Sequence, residues 1–147
     1  MRWVRLSAEE ARAHPRYGLG GWLYLLFALL CVAVIADITE WFMHEPASDR
    51  PRWLIAFTIS SNIAVLTAGF ARWPRFPELT IAVIWIGGLL SLLYTRHMAL
   101  PAAPDAPLDP RTINIAGYLL LSALLTWALV VSERVNVTFK HRRRAAA

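Results

Sequence analysis

Four residues could do chemistry together if the chain brings them to one place: Asp37, Glu40, His44 and His97. If the apolar helix before them continues outward, Asp37, Glu40 and His44 are spaced three and four apart and share one helical face, with Glu45 adjacent. His97 leaves a later apolar run on the same side of the membrane. Neutral imidazole nitrogen and carboxylate oxygen both suit a divalent ion such as zinc, so this group is a candidate metal site. No compact ligand motif such as H-E-x-x-H accompanies it, which favours the plainer alternative of a solvated acidic helix end with unrelated histidines. Both histidines lie outside the apolar runs where a bundle haem would sit, and no cofactor is expected. The sequence also lacks a Gly-rich phosphate loop, a nucleophile elbow and kinase motifs.

A second set of polar residues lies inside apolar runs. Asn62 is near the centre of the second run, flanked by Ser60 and Ser61. Ser60, Ala64 and Ala68 recur every four residues and would let a neighbouring helix approach closely, while Thr58, Asn62 and Gly69 fall on a different face. Gly87 with Ser91, and Ser122 with Thr126, form similar pairs further on. Interhelical packing and hydrogen bonding is the favoured reading, and a polar ligand pocket at Asn62 is the sharper alternative. No ionisable residue stands well inside any run, which argues against a proton or ion pump.

The elements that must position these residues are membrane helices. Tyr17 to Ala36 is free of charge and, at about 1.5 Å per residue, spans roughly 30 Å, the thickness of a hydrocarbon core. It is longer than a signal-peptide core, and further apolar runs follow at 53–71, 77–95 and 112–132. The fold class expected is therefore all-α, a polytopic four-transmembrane-helix bundle in a single membrane domain. Ser7 and Glu10 fit a capping box, so a short interfacial helix from Ala8 to His14 precedes the first span. The 147 residues are 57% hydrophobic and 17% charged, too apolar for a soluble domain of that size. Cys31 is the single cysteine, which excludes a disulfide framework and a thiolate metal cluster.

The net charge of +5 would suggest nucleic acid in a soluble protein, but here the basic residues flank the spans and no nucleic acid is expected. Eleven of them lie in the two tails and the tight turn between spans two and three, against four in the other loops. That asymmetry orients both termini toward the cytoplasm. Trp22 and Trp73 then fall near the inner interface and Trp41 and Trp53 near the outer one, whereas Trp85 and Trp127 are expected to pack between helices. Val135, Val137 and Phe139 alternate with polar residues as the chain leaves the last span. Arg134, Lys140, Arg142, Arg143 and Arg144 follow, a basic tail expected to rest on anionic lipid headgroups at about 1 kcal/mol per charge.

The entry GLGGWLYL at Gly18 to Leu25, the four spans and the exit SERVNVTF at Ser132 to Phe139 resemble the small bacterial inner-membrane proteins of domain-of-unknown-function family 2569. The resemblance implies a four-helix protein of the inner membrane and transfers no activity and no catalytic residue. Three classes of function follow, in order of preference. An accessory or structural subunit of a membrane complex, binding another membrane protein or a second copy of itself, needs only packing faces. A small-molecule or lipid-binding carrier needs a polar cavity, for which Asn62 and Ser61 are the candidates. A metal-dependent enzyme needs the Asp37, Glu40, His44, His97 group.

Overall fold

The computed structural model describes residues 3–43, 50–98 and 110–145, without the side chains of 95–98, 110, 111 and 114. The element order is β1 (Trp3–Arg5), α1 (Ala8–Ala13), α2 (Trp22–Met43), α3 (Arg52–Phe70), α4 (Phe76–Met98), α5 (Pro110–Val131), α6 (Glu133–Lys140) and β2 (Arg142–Arg144). The protein is thus mostly helical. By length and composition α2, α3 and α4 can each cross a membrane, and α5 with α6 makes a fourth crossing if the two, bent by 61° at their junction, count as one broken span.

Local chemistry explains where the helices start and stop. The capping box predicted at Ser7 and Glu10 is present: Ser7 N–H donates to Glu10 Oε2 at 2.7 Å and Glu10 N–H to Ser7 Oγ at 3.2 Å. The first span, expected over 17–36, is displaced: α2 starts at Trp22 and continues to Met43. Gly18 at φ +94° and Gly21 at φ +56° hold left-handed backbone that a helix cannot use, which delays the start. At the other end α2 runs on through Asp37 and Glu40, and a cation from the next segment meets both carboxylates. The α3–α4 turn is a Schellman motif, with Trp73 N–H donating to Ala68 O at 2.8 Å and Arg72 N–H to Gly69 O at 3.1 Å. Its left-handed residue is Arg72 at φ +53°, a conformation costing a non-glycine about 1–2 kcal/mol. The Arg72 guanidinium lies 5.1 Å over the Tyr17 ring, which offsets part of that strain.

The helices pack in chain order, α2 on α3, α3 on α4 and α4 on α5, and close around one core at the end that carries β1 and β2. That core joins Leu23, Leu26 and Phe27 of α2 with Val65 and Ala68 of α3, Phe76 of α4, Leu129 of α5, and Val135 and Phe139 of α6. A run of stacked rings crosses it, from Phe70 to Phe27 at 5.1 Å, to Phe76 at 5.7 Å and to Phe139 at 4.4 Å. Away from this end the helices bury little against one another and present large apolar side chains outward, as lipid-facing helices do.

The exit stretch SERVNVTF does not leave the helices as the alternating strip its sequence suggests. Ser132 caps α6 by accepting from Val135 N–H, and residues 135–139 are all buried beneath the helix ends. Asn136 braces the bend: its Nδ2 donates to Val130 O at 2.9 Å, in the last turn of α5, and to Ser132 O at 2.8 Å, which also accepts from Asn136 N–H. Beyond α6, β2 pairs antiparallel with β1, Trp3 opposite Arg144 and Arg5 opposite Arg142, so both ends of the described chain lie on one face.

Candidate functional site

The sequence points first to the distal ends of α2 and α3, away from the β1–β2 ribbon. Asp37 and Glu40, one helical turn apart on α2, do converge, and what lies between them is a guanidinium. Arg50 Nη1 donates to Asp37 Oδ1 at 3.0 Å and to Glu40 Oε2 at 2.6 Å, while Nη2 donates to Thr58 Oγ1 on α3 at 3.3 Å. Thr58 Oγ1 in turn donates to Ile55 O at 2.9 Å. Asp37 is almost wholly buried, its side chain 12% exposed. This group ties α2 to α3 and provides the positive charge that two carboxylates near an apolar layer require. His44 and Glu45 lie outside the described residues, and His97 belongs to α4 with its side chain outside that description. Among the described residues no three of His, Cys, Asp and Glu come together as a metal site.

In mid-layer the polar residues divide into three kinds. Ser60 Oγ donates to Ala56 O and Ser61 Oγ to Phe57 O, each at 2.7 Å, so both bond back to their own helix instead of crossing to another. Thr126 is used between helices: it accepts from Trp85 Nε1 at 3.0 Å. Ser122, one turn earlier on α5, is buried. Asn62 is half-buried and finds no hydrogen-bond partner among the described residues. Ser60 and Ala64 stay exposed on the other side of α3.

Close approach of α4 and α5 is provided by Gly88, a glycine that the spacing of small residues did not single out. A Cβ at Gly88 would fall 1.7 Å from the Tyr118 hydroxyl, and that hydroxyl donates to Ile84 O, whereas a Cβ at Gly87 would meet Phe57 at 3.9 Å. Adjacent glycines lie on different faces, so the pairing of Gly87 with Ser91 pointed one residue away from the α4–α5 contact. Trp85 conforms in part to the expectation of interhelical packing, but Trp127 is 64% exposed and faces outward from the helix layer.

At the ribbon end much of the basic tail is engaged within the chain. Lys140 pairs with Glu78, Arg142 Nε donates to Asn136 Oδ1 at 2.6 Å with its guanidinium 5.2 Å over the Trp3 ring, and Arg134 packs against Gly20. Arg143 and Arg144 are exposed. Glu10, at the base of α1, has its carboxyl held below the usual range by the Ser7 backbone N–H.

These features define a mostly helical protein with three to four helices able to cross a membrane, braced by an ion-pair cluster at one end and an aromatic core at the other. No family model, no curated protein and no solved structure matches the chain.

Proposed function

We propose that this is a four-crossing protein of the bacterial inner membrane that acts as an accessory subunit, using α3 to bind a helix of another membrane protein or of a second copy. Pairing of β1 with β2 supports an even number of crossings, because it holds both ends of the described chain on one face. The excess of basic residues on that face supports its being cytoplasmic, in keeping with the resemblance to family 2569.

Asn62 is the observation that carries the binding role. An amide with no partner among the described residues, placed at mid-span, costs several kcal/mol in hydrocarbon, and lipid offers it nothing to bond. A polar residue of a neighbouring helix satisfies it, at about 0.6 kcal/mol net for a typical interhelical hydrogen bond in a membrane. The test is native mass measurement in mild detergent, with crosslinking from position 62 and from position 64 on the opposite side of α3. A species heavier than the 16.6 kDa monomer, lost in Asn62→Leu while membrane insertion persists, is the expected result. A strict monomer with no crosslinked neighbour in cell membranes overturns the subunit reading in favour of a small-molecule or lipid carrier. Alkaline phosphatase fused after Ala103 should be active and fused after Ala147 inactive; the reverse overturns the orientation.

A further inference from the structure

Where α5 turns into α6, a groove of about 340 Å³ opens between Arg16, Trp22, Trp127, Val131, Ser132 and Arg144. It has one polar wall and one apolar wall. On the polar side two guanidinium groups face a single carboxylate. Arg16 pairs with Glu133 yet keeps its side chain 58% exposed, and Arg144, also exposed, spends one donor on Val131 O at 2.9 Å. Each guanidinium carries five N–H donors, so most of them make no hydrogen bond among the described residues, and the groove holds one more positive charge than negative. Trp22 fixes the floor, its Nε1 donating to Ser132 Oγ at 3.2 Å.

The apolar wall continues out of the groove along α5. Val131, Trp127, Leu124 and Leu120 are spaced by four, three and four residues, which places them on one helical face. The last three are 64%, 54% and 63% exposed, respectively. From Val131 to Leu120 this stripe extends roughly 16 Å, the reach of a fatty acyl chain. A charged groove at the membrane interface, a tryptophan at its rim and an apolar track leading from it toward mid-layer match the three parts of a phospholipid: phosphate, glycerol backbone and chain.

We propose that this groove binds an anionic glycerophospholipid, its phosphate held by Arg16 and Arg144 and an acyl chain lying on Trp127, Leu124 and Leu120. Planar guanidinium groups donate in pairs to phosphate oxygens, and the uncompensated charge selects a headgroup with net negative charge over a zwitterionic one. Glu133 sets the limit: by pairing with Arg16 it weakens the site against free inorganic phosphate, which lacks the acyl contact. The site rests on the membrane embedding proposed above and is independent of any protein partner.

The test offers the detergent-solubilised protein equal amounts of dioleoylphosphatidylglycerol and dioleoylphosphatidylcholine and counts retained lipid by native mass spectrometry. Phosphatidylglycerol should be retained preferentially, by about five-fold for each arginine engaged. Arg16→Ala with Arg144→Ala should remove the preference. Arg12→Ala with Arg75→Ala, which takes the same charge from exposed positions outside the groove, should leave it intact. Equal retention of the two lipids by the unmodified protein overturns the site even if the first variant pair fails to fold, and so does an equal loss in both variant pairs. Carbonate extraction of native membranes checks the embedding separately: a protein that stays in the membrane and yet retains both lipids equally refutes the groove alone.

Discussion

A single methyl group at Gly69 tests the core at the ribbon end. Its carbon would fall 2.3 and 2.5 Å from two atoms of the Phe27 ring and 3.0 Å from Phe76, well inside van der Waals contact. Phe27 has nowhere to withdraw, being 4% exposed and stacked between Phe70 and Phe76. Overpacking of this kind costs about 1–3 kcal/mol, and the better helix propensity of alanine returns at most about 1 kcal/mol. Gly69→Ala should therefore destabilise by about 1–2 kcal/mol. Gly87→Ala is the matched control, because there the same methyl meets only Phe57 at 3.9 Å, an ordinary contact. The control should be neutral or up to about 1 kcal/mol more stable. Unfolding in mixed micelles titrated with SDS, followed by far-ultraviolet circular dichroism, measures both under one condition. Adding Phe27→Leu to Gly69→Ala should recover part of the loss by vacating the contested space. Equal stability of the two alanine variants would refute the packing described for α2, α3 and α4.

Two further outcomes follow from the polar groups. Arg50→Ala leaves Asp37 buried without its main cation; discounted for the partial exposure of Arg50 and Glu40, the loss should be about 1–3 kcal/mol in the same unfolding assay. Glu40→Gln, at a more open position, should lose less than about 1 kcal/mol, and a reversed order would show that Asp37 does not depend on Arg50. Glu10 provides a pH dependence. Its carboxyl is lowered from 4.5 in the folded chain, chiefly by the Ser7 backbone N–H and then by the hydrogen bond between their side chains. Its contribution to α1 is thus fully present above pH 4.5 and lost as pH falls through the lowered folded value. Hydrogen exchange at the α1 amides should show protection falling in acid, and Glu10→Gln should flatten that response; an unchanged acid profile in the variant counts against it.

Much of the helical organisation was legible in the sequence because its signals are local. An uncharged run long enough to cross a membrane depends on neighbours in the chain alone, and α3 and α5 begin and end within two residues of the runs that announced them. The Ser7–Glu10 cap was readable for the same reason, since both partners lie within one turn. The glycines before Trp22 were visible, but only the structure shows that Gly18 and Gly21 turn left-handed and that Gly18 N–H donates to Thr138, 120 residues away.

What the sequence could not supply was the choice of partner. Spacing put Asp37 and Glu40 on one face without saying whether a metal, a histidine or Arg50 would stand between them, and the loop geometry brought in Arg50. Small residues marked faces of approach, yet Gly87 and Gly88 differ by about 100° around α4, and only the position of Tyr118 on α5 decides which of them must be glycine. The exit stretch shows the same limit. Val135, Val137 and Phe139 alternate as a surface strip would, but burial in an aromatic core, together with the carbonyls tied off by Asn136, makes a helix the lower-energy form. Length, hydrophobicity and capping are properties of a segment and are written in it. Which cation meets a carboxylate, which glycine receives a ring and which side of a terminal stretch is buried are properties of pairs distant in sequence, and the tertiary structure decides them.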